Sequence, residues 1–312
     1  MGNDNEHKKQ HYVPQCYLNQ FGHSNGKEKH EKYFLYVFNK NIQKSYYNAV
    51  DNICRLDYFY KISDEYLKNC SASELNELSI EEGYFANNVE ANLGKILIEL
   101  EERKNDCVKH KLQTFPMLFN DKFLIAQQIV IQFLRLPKMR LWDNNFNDEH
   151  IPKMIRLMQY GLAIEMNNPE IAKLEIKYDY DRVVSHAKHS FMNYKLINKF
   201  ASDMATNLWT FLYSPQNDFC TSDNPIVCLQ DYPNERPLNC GLNQKGVKIF
   251  YALSPSLLLL IMDKNESSGI DCKFGFVSDF CLNMFNKGLY SQSEYIFNYN
   301  NNFDFFIINN NG

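Results

Sequence analysis

The chain has 312 residues, 45% of them hydrophobic and 22% charged, with a formal net charge of -4. That is enough apolar content to bury a core, as one large domain or two small ones, and too little net charge for wholesale disorder. No apolar run approaches the roughly 18 residues of a membrane span, the start MGNDNEHKKQH is polar where a signal peptide is apolar, and the sixth residue is Glu where myristoylation needs Ser or Thr. A soluble, cytoplasmic protein is expected. The nine cysteines are scattered and contain no C-x-x-C pair, which argues against a disulfide framework and against a structural zinc site. Balanced charge leaves nucleic acid only a local patch to bind.

In chain order, Val13 precedes a proline and is extended, Pro14 suits the first position of a helix, and Tyr17, Leu18 and Phe21 repeat at helical spacing before Gly22. The run 33–40 and the run Asp57 to Tyr60 are rich in strand formers and predict a small antiparallel unit. Residues 72–104 predict one long amphipathic helix, with Leu75, Leu78, Phe85, Val89, Leu93, Ile96 and Leu100 on a common face. Residues 118–136 predict a helix apolar on most of its surface, ended by Pro137, and 152–166 and 183–213 predict two more. Beyond Pro215 come the short β-rich runs 218–221, 226–229, 248–253 and 257–262, a helix at about 277–290, and terminal strands at 295–299 and 303–308. The expected class is α+β: a single interwoven domain with a β-containing entry (11–60), a helical middle (72–213) and a β-rich C-terminal part (216–308).

Four places break the rules of plain structural elements, and such places are where function is most often found. His11 precedes the helix that starts at Pro14, whose free N–H groups could hold a phosphate or carboxylate while His11 acts as acid or base. Its four-residue spacing from His7 crosses a coil-to-strand segment and is weak as a zinc pair; a packed, structural His11 remains the alternative. Glu82 fills a slot in the apolar stripe of the long helix and needs a partner there, and Glu90 follows eight residues on; structural ion pairs are the bland reading of both. The central helix carries Gln128, Gln132 and Arg135, with Arg135 as the expected partner of Glu82 or as an anion clamp. Ser222, Asp223 and Asn224 lie between two apolar runs just before Pro225, as a rigid turn or as a loop presenting Asp223 as a general base or metal ligand. The common nucleotide, zinc-protease, serine-hydrolase and calcium-loop motifs are absent, and Glu175-Ile176-Lys177 is a nuclease-like triplet too common to weigh.

His11-Tyr12-Val13-Pro14-Gln15 with Tyr17, Leu18 and Phe21, the stretch Gln132 to Pro137, Trp209 ahead of Thr221 to Pro225, and Leu253-Ser254-Pro255 together resemble the domain-of-unknown-function family 4238, from residue 11 to about 300. His11, Arg135 and Asp223 match motif positions of that family; Glu82 and Glu90 match its acidic helix loosely, and Cys16 and Cys220 depart from it. The resemblance implies a mainly microbial group with no settled activity. The resulting expectation is a hydrolase or nuclease acting on a phosphate-containing substrate, nucleic acid or nucleotide. His11, Glu82 and Asp223 would be catalytic, and Gln15, Gln132, Arg135, Ser222 and Asn224 would bind substrate. The metal requirement stays open, a divalent ion included, and a bacterial stress or phage-defence setting is expected from the kind of protein alone. The alternative is a non-catalytic ligand-sensing or protein-binding module built on the same polar cluster, and a third is a purely structural network.

Overall fold

The computed structural model describes residues 9–26, 31–69, 71, 80–230, 241–265 and 267–308, with the backbone alone at Glu82 and Ile308. The chain opens with β1 (Lys9–His11), which pairs antiparallel with β5 (Arg55–Asp57) so that His11 lies opposite Arg55. Between them run α1 (Gln15–Leu18), β2 (His23–Ser24), β3 (Tyr33–Asn39) and β4 (Lys44–Ala49). The predicted strand at Asp57 to Tyr60 gives way to a turn, because Tyr58 takes a left-handed conformation (φ 55°) that ends pairing.

The helical middle follows α2 (Asp64–Lys68). The segment expected as one helix over 72–104 is, where described, a π-helical stretch Ile80–Glu90 running into α3 (Ala91–His110); residues 72–79 lie outside the described residues. Next come α4 (Phe119–Leu134), α5 (Pro137–Asn145) and α6 (Ile151–Glu165). Asp121 starts α4 by accepting from the Leu118 N–H at 3.1 Å, and Pro137 enters α5 at its first turn, where its missing N–H costs nothing. The helix predicted over 183–213 is three elements: α7 (Arg182–His189), α8 (Tyr194–Ala205) and the strand β6 (Leu208–Tyr213). Asp181 and Asn193 cap the two helices with their side chains. Leu-Trp-Thr-Phe-Leu-Tyr is a strand-forming run, and pairing with a neighbouring strand overrides the helical spacing seen in one dimension.

The remaining elements are β7 (Thr221–Ser222), β8 (Ile226–Gln230), β9 (Val247–Ser254), β10 (Leu257–Met262), β11 (Lys273–Phe276), α9 (Asp279–Gln292), β12 (Tyr295–Asn298) and α10 (Asp304–Ile308). One sheet has the order β11-β6-β10-β9-β8, antiparallel except for the parallel β11–β6 pair. Its middle strands are buried along nearly their whole length, which is why Leu257 to Ile261 reads as an unbroken apolar run. The second sheet has the order β2-β3-β12-β7, with β4 on β3. The fold class is α+β. The strand expected over 303–308 is a helix instead: the Phe303 and Phe306 rings both lie against the Phe38 ring, and three-residue spacing puts them on one side only in a helix. Among the described residues no helix is long and apolar enough to cross a membrane.

Tyr17 fixes α1 to the first sheet. Its ring stacks on Tyr251 with centroids 5.1 Å apart, and its hydroxyl donates to the Ala252 carbonyl at 2.7 Å and meets Thr221 Oγ1 at the same distance. The opening motif and the Thr221 to Pro225 turn therefore face the same side of the core.

Candidate functional site

Arg135 is the C-cap of α4, and its side chain is 1% exposed. Every branch of the guanidinium has a partner: Nη1 donates to Glu90 Oε1 at 3.1 Å, Nη2 to the His11 carbonyl at 2.6 Å and Nε to the Tyr60 hydroxyl at 3.3 Å. The Phe85 ring lies beneath it, 3.9 Å from centroid to Cζ. A cation this enclosed cannot also clamp a substrate phosphate. The expected partner was Glu82; the acid that pairs with Arg135 is Glu90, and the Glu82 side chain lies outside the described residues. Sequence alone does not distinguish the acids of this segment, and only the relative placement of the π-helical stretch and α4 selects Glu90.

His11, Gln15 and Gln132 belong to the same network. The Gln15 amide lies 3.2 Å from the His11 ring, and Gln132 Nε2 donates to the Tyr12 carbonyl at 3.1 Å. Burial lowers the His11 pKa, against the opposing pull of Glu90, so its ring is neutral near pH 7. What Arg135 uses is the His11 carbonyl, a group any residue supplies. The helix behind Pro14 has four residues before it tightens to a 3-10 turn at Asn19–Phe21. It is too short to sum much of a dipole, so the anion site expected at its start has little to draw on.

The Ser222 to Asn224 turn stands apart from this network, and its Asp223 and Asn224 line a cavity of about 310 Å³. Tyr12, Lys138, Gln292 and Glu294 supply the other polar groups, and Leu56, Leu136 and Pro137 the apolar ones. Ser222 is fully buried and spent on bracing: its hydroxyl accepts from the Asn224 N–H at 3.1 Å and from Ser293 Oγ at 2.8 Å. Asn224 donates its amide to the Gln292 carbonyl at 2.9 Å, while its Oδ1 is buried with no partner. An acceptor so placed costs about 1–3 kcal/mol unless something donates to it. Gln292 is itself clamped, its amide donating to the Cys228 carbonyl at 2.8 Å.

Asp223 accepts the N–H groups of Glu294 at 3.1 Å and Tyr295 at 3.3 Å, and its own N–H donates to the Tyr295 carbonyl at 3.2 Å. Burial nevertheless pushes its carboxyl up to about 6, the backbone donors opposing and Glu294 adding to the shift. The neighbouring Tyr12 hydroxyl bonds the buried Cys54, whose thiol is held well above its ordinary pKa by burial and is therefore no nucleophile at neutral pH. Cys54 sits at φ 51° and receives the Tyr12 N–H on its carbonyl at 2.9 Å, which fixes the Tyr12 ring at the cavity wall.

The eight site residues expected from sequence thus divide. His11, Gln15, Gln132 and Arg135 belong to one hydrogen-bonded network in which Arg135 and Gln132 are buried and His11 and Gln15 half-buried; Asp223 and Asn224 line a cavity, with Ser222 buried and not among its lining residues; the Glu82 side chain lies outside the described residues. Tyr12, Lys138, Gln292 and Glu294 were not expected. Tyr12 and Lys138 adjoin Pro14 and Pro137 and could have been marked, whereas Gln292 and Glu294 reach the turn only through the β12–β7 pairing. A second cavity of about 390 Å³ is lined by Gln128, Asn88 and Asn92, but its carboxylate Glu99 is spent on Arg103. Among the described residues no cysteine is in a disulfide, and no group of three His, Cys, Asp or Glu could hold a metal ion.

Neither the curated proteins nor the solved structures contain a match to the chain. A family model described as a protein of unknown function, DUF4238, matches residues 9–301. With nearly its whole length covered, the chain belongs to that family.

Proposed function

We propose that the cavity at Asp223 binds a small ligand that presents hydrogen-bond donors, with Asp223 and Asn224 as the recognising pair. The observation that carries this reading is that Asp223, whose carboxyl burial raises to about 6, and Asn224, whose buried Oδ1 has no hydrogen-bond partner, both line the cavity. Acceptors of this kind suit a ligand rich in N–H donors, such as a nucleobase edge or an amidine-like group, and Lys138 is the basic residue in the same lining. A cavity near 310 Å³ is of mononucleotide size and too small for a duplex. Arg135, spent on Glu90, His11 and Tyr60, has a structural role in this reading.

The pKa of Asp223 favours a second reading, in which the ligand is a substrate and Asp223 the general base of a hydrolysis. A carboxyl near 6 is mostly ionised at pH 7 yet basic enough to take a proton from water. Titrating purified protein with nucleosides and nucleoside monophosphates separates the readings: saturable binding without product supports the binding module, and product formation rising with pH through about 6 supports the hydrolase. Absence of both removes the cavity from consideration.

A further inference from the structure

The π-helical stretch Ile80–Glu90 is eleven residues long, whereas a π-helix usually lasts a single turn and is frequently found at a functional site. It supplies Tyr84, Asn88 and Val89 to the second cavity, a cleft of about 390 Å³ that α3, α4 and α8 complete. Val89, Ile131 and Ile197 are buried and give the cleft an apolar base. Tyr194 is 60% exposed, with its ring edge-on to buried Tyr84 and the centroids 6.4 Å apart. Four amide side chains also line the cleft, and the chain itself takes the NH2 groups of three. Asn88 Nδ2 donates to the Gly83 carbonyl at 3.3 Å, Asn92 Nδ2 to the Asn88 carbonyl at 2.6 Å and Gln127 Nε2 to Asn198 Oδ1 at 2.8 Å. What these three have left for a ligand is their carbonyl oxygens. Gln128 adds a fourth: its Oε1 is buried with no hydrogen-bond partner among the described residues, a state that a donor from outside relieves. The charged lining residues are Lys95 and Glu99, and Glu99 is held by Arg103.

We propose that this cleft binds a neutral sugar ring. Amide oxygens from the π-helical stretch and α3 on one side and from α4 on the other call for donors around the perimeter of the ligand. A ring of hydroxyls has them, and the flat edge of a heterocycle does not. A cation would need a carboxylate, which Glu99 already gives to Arg103, and an anion would face amide oxygens with Lys95 alone to hold it. The C–H face of the sugar lies on the Tyr194 ring and the apolar base, and Lys95 donates to a hydroxyl oxygen. The volume is within the range of about 300–1,000 Å³ usual for small-molecule sites. The cleft shares no lining residue with the Asp223 cavity, so the two sites stand or fall separately.

Saturation-transfer NMR of the full chain with glucose, galactose, mannose, ribose and N-acetylglucosamine, and with spermidine and citrate as charged probes, tests this. At least one sugar is expected to bind, with a Kd on the order of 1 mM, and neither charged probe. Gln128→Leu removes the partnerless acceptor at similar volume, and is expected to weaken that sugar at least tenfold while melting no lower than the wild type. Tyr194→Ala changes an exposed side chain, is expected to weaken the sugar about fivefold, and gives the reading should Gln128→Leu melt lower. No sugar bound, a charged probe bound in place of the sugars, or sugar binding that both variants leave unchanged overturns the proposal.

Discussion

At the scale of single residues, the buried titratable groups set opposite trends with pH. Asp223 is raised to about 6 by burial, so the folded chain keeps a proton there that the unfolded chain releases near pH 4. Stability from this group is therefore greatest below that window, falls as pH rises through it, and carries a penalty of about 3 kcal/mol above it. Asp223→Asn keeps an acceptor for the Glu294 and Tyr295 N–H groups, so it is expected to melt higher than the wild type at pH 7.5 and level with it near pH 4. His186 runs the other way. Burial lowers it to about 4, its Nε2 donates to the Leu134 carbonyl at 3.1 Å, and nearby Arg140 adds to the shift. The unfolded chain takes up a proton near 6.5 that the folded chain refuses, so stability is lost as pH falls from 6.5 to 4, by about 3 kcal/mol in full. The advantage of the wild type over His186→Gln in denaturant titrations should shrink across that window. Arg135→Ala strands Glu90 and the His11 carbonyl and is expected to cost about 3–5 kcal/mol in urea unfolding, more than Glu90→Gln, whose carboxylate is a quarter exposed.

At the scale of elements, α9 shows how closely a helix can be held against a sheet. A Cβ on Gly288 would overlap Val227 Cγ1 and come within 3.1 Å of Leu229 Cδ2, both on β8. Gly288→Ala is therefore expected to destabilise by about 1–3 kcal/mol even though alanine is the better helix former, and differential scanning calorimetry reads the sign directly. The same scale shows what sequence could and could not reveal. The long apolar helix α4, the strands β3 and β10 and the proline-bounded start of α1 were legible, because each carries a periodic pattern or a proline with one local meaning. The split of 183–213 into α7, α8 and β6 was not, since Met204, Leu208 and Trp209 continue a helical spacing and Trp209 gains its strand partner Ile261 only in the sheet. The helix at Asp304–Ile308 was misread for the converse reason: interleaved aromatics mimic a strand until Phe38 gathers Phe303 and Phe306 on one side.

At the scale of the whole molecule, β12 lies between β3 and β7, so a strand from the end of the chain joins the opening β unit to the Ser222 turn. That arrangement explains how far the candidate site could be read in one dimension. His11, Gln132, Arg135, Asp223 and Asn224 stood out because each is polar where its surroundings are apolar. Their division into a hydrogen-bonded network around Arg135 and an open cavity depends on pairings more than 70 residues apart, such as Asp223 with Glu294 and His11 with Arg135, which no local pattern encodes. Asp223 and Asn224 are the proposed recognising pair, and Arg135 is structural. Calorimetric titration of wild type and Asp223→Asn with a panel of nucleosides and nucleoside monophosphates at pH 7.5 tests this most directly. The account predicts saturable binding of at least one of them that Asp223→Asn weakens at least tenfold while melting no lower than the wild type. Binding by no member of the panel, or binding that Asp223→Asn leaves unchanged, would contradict it.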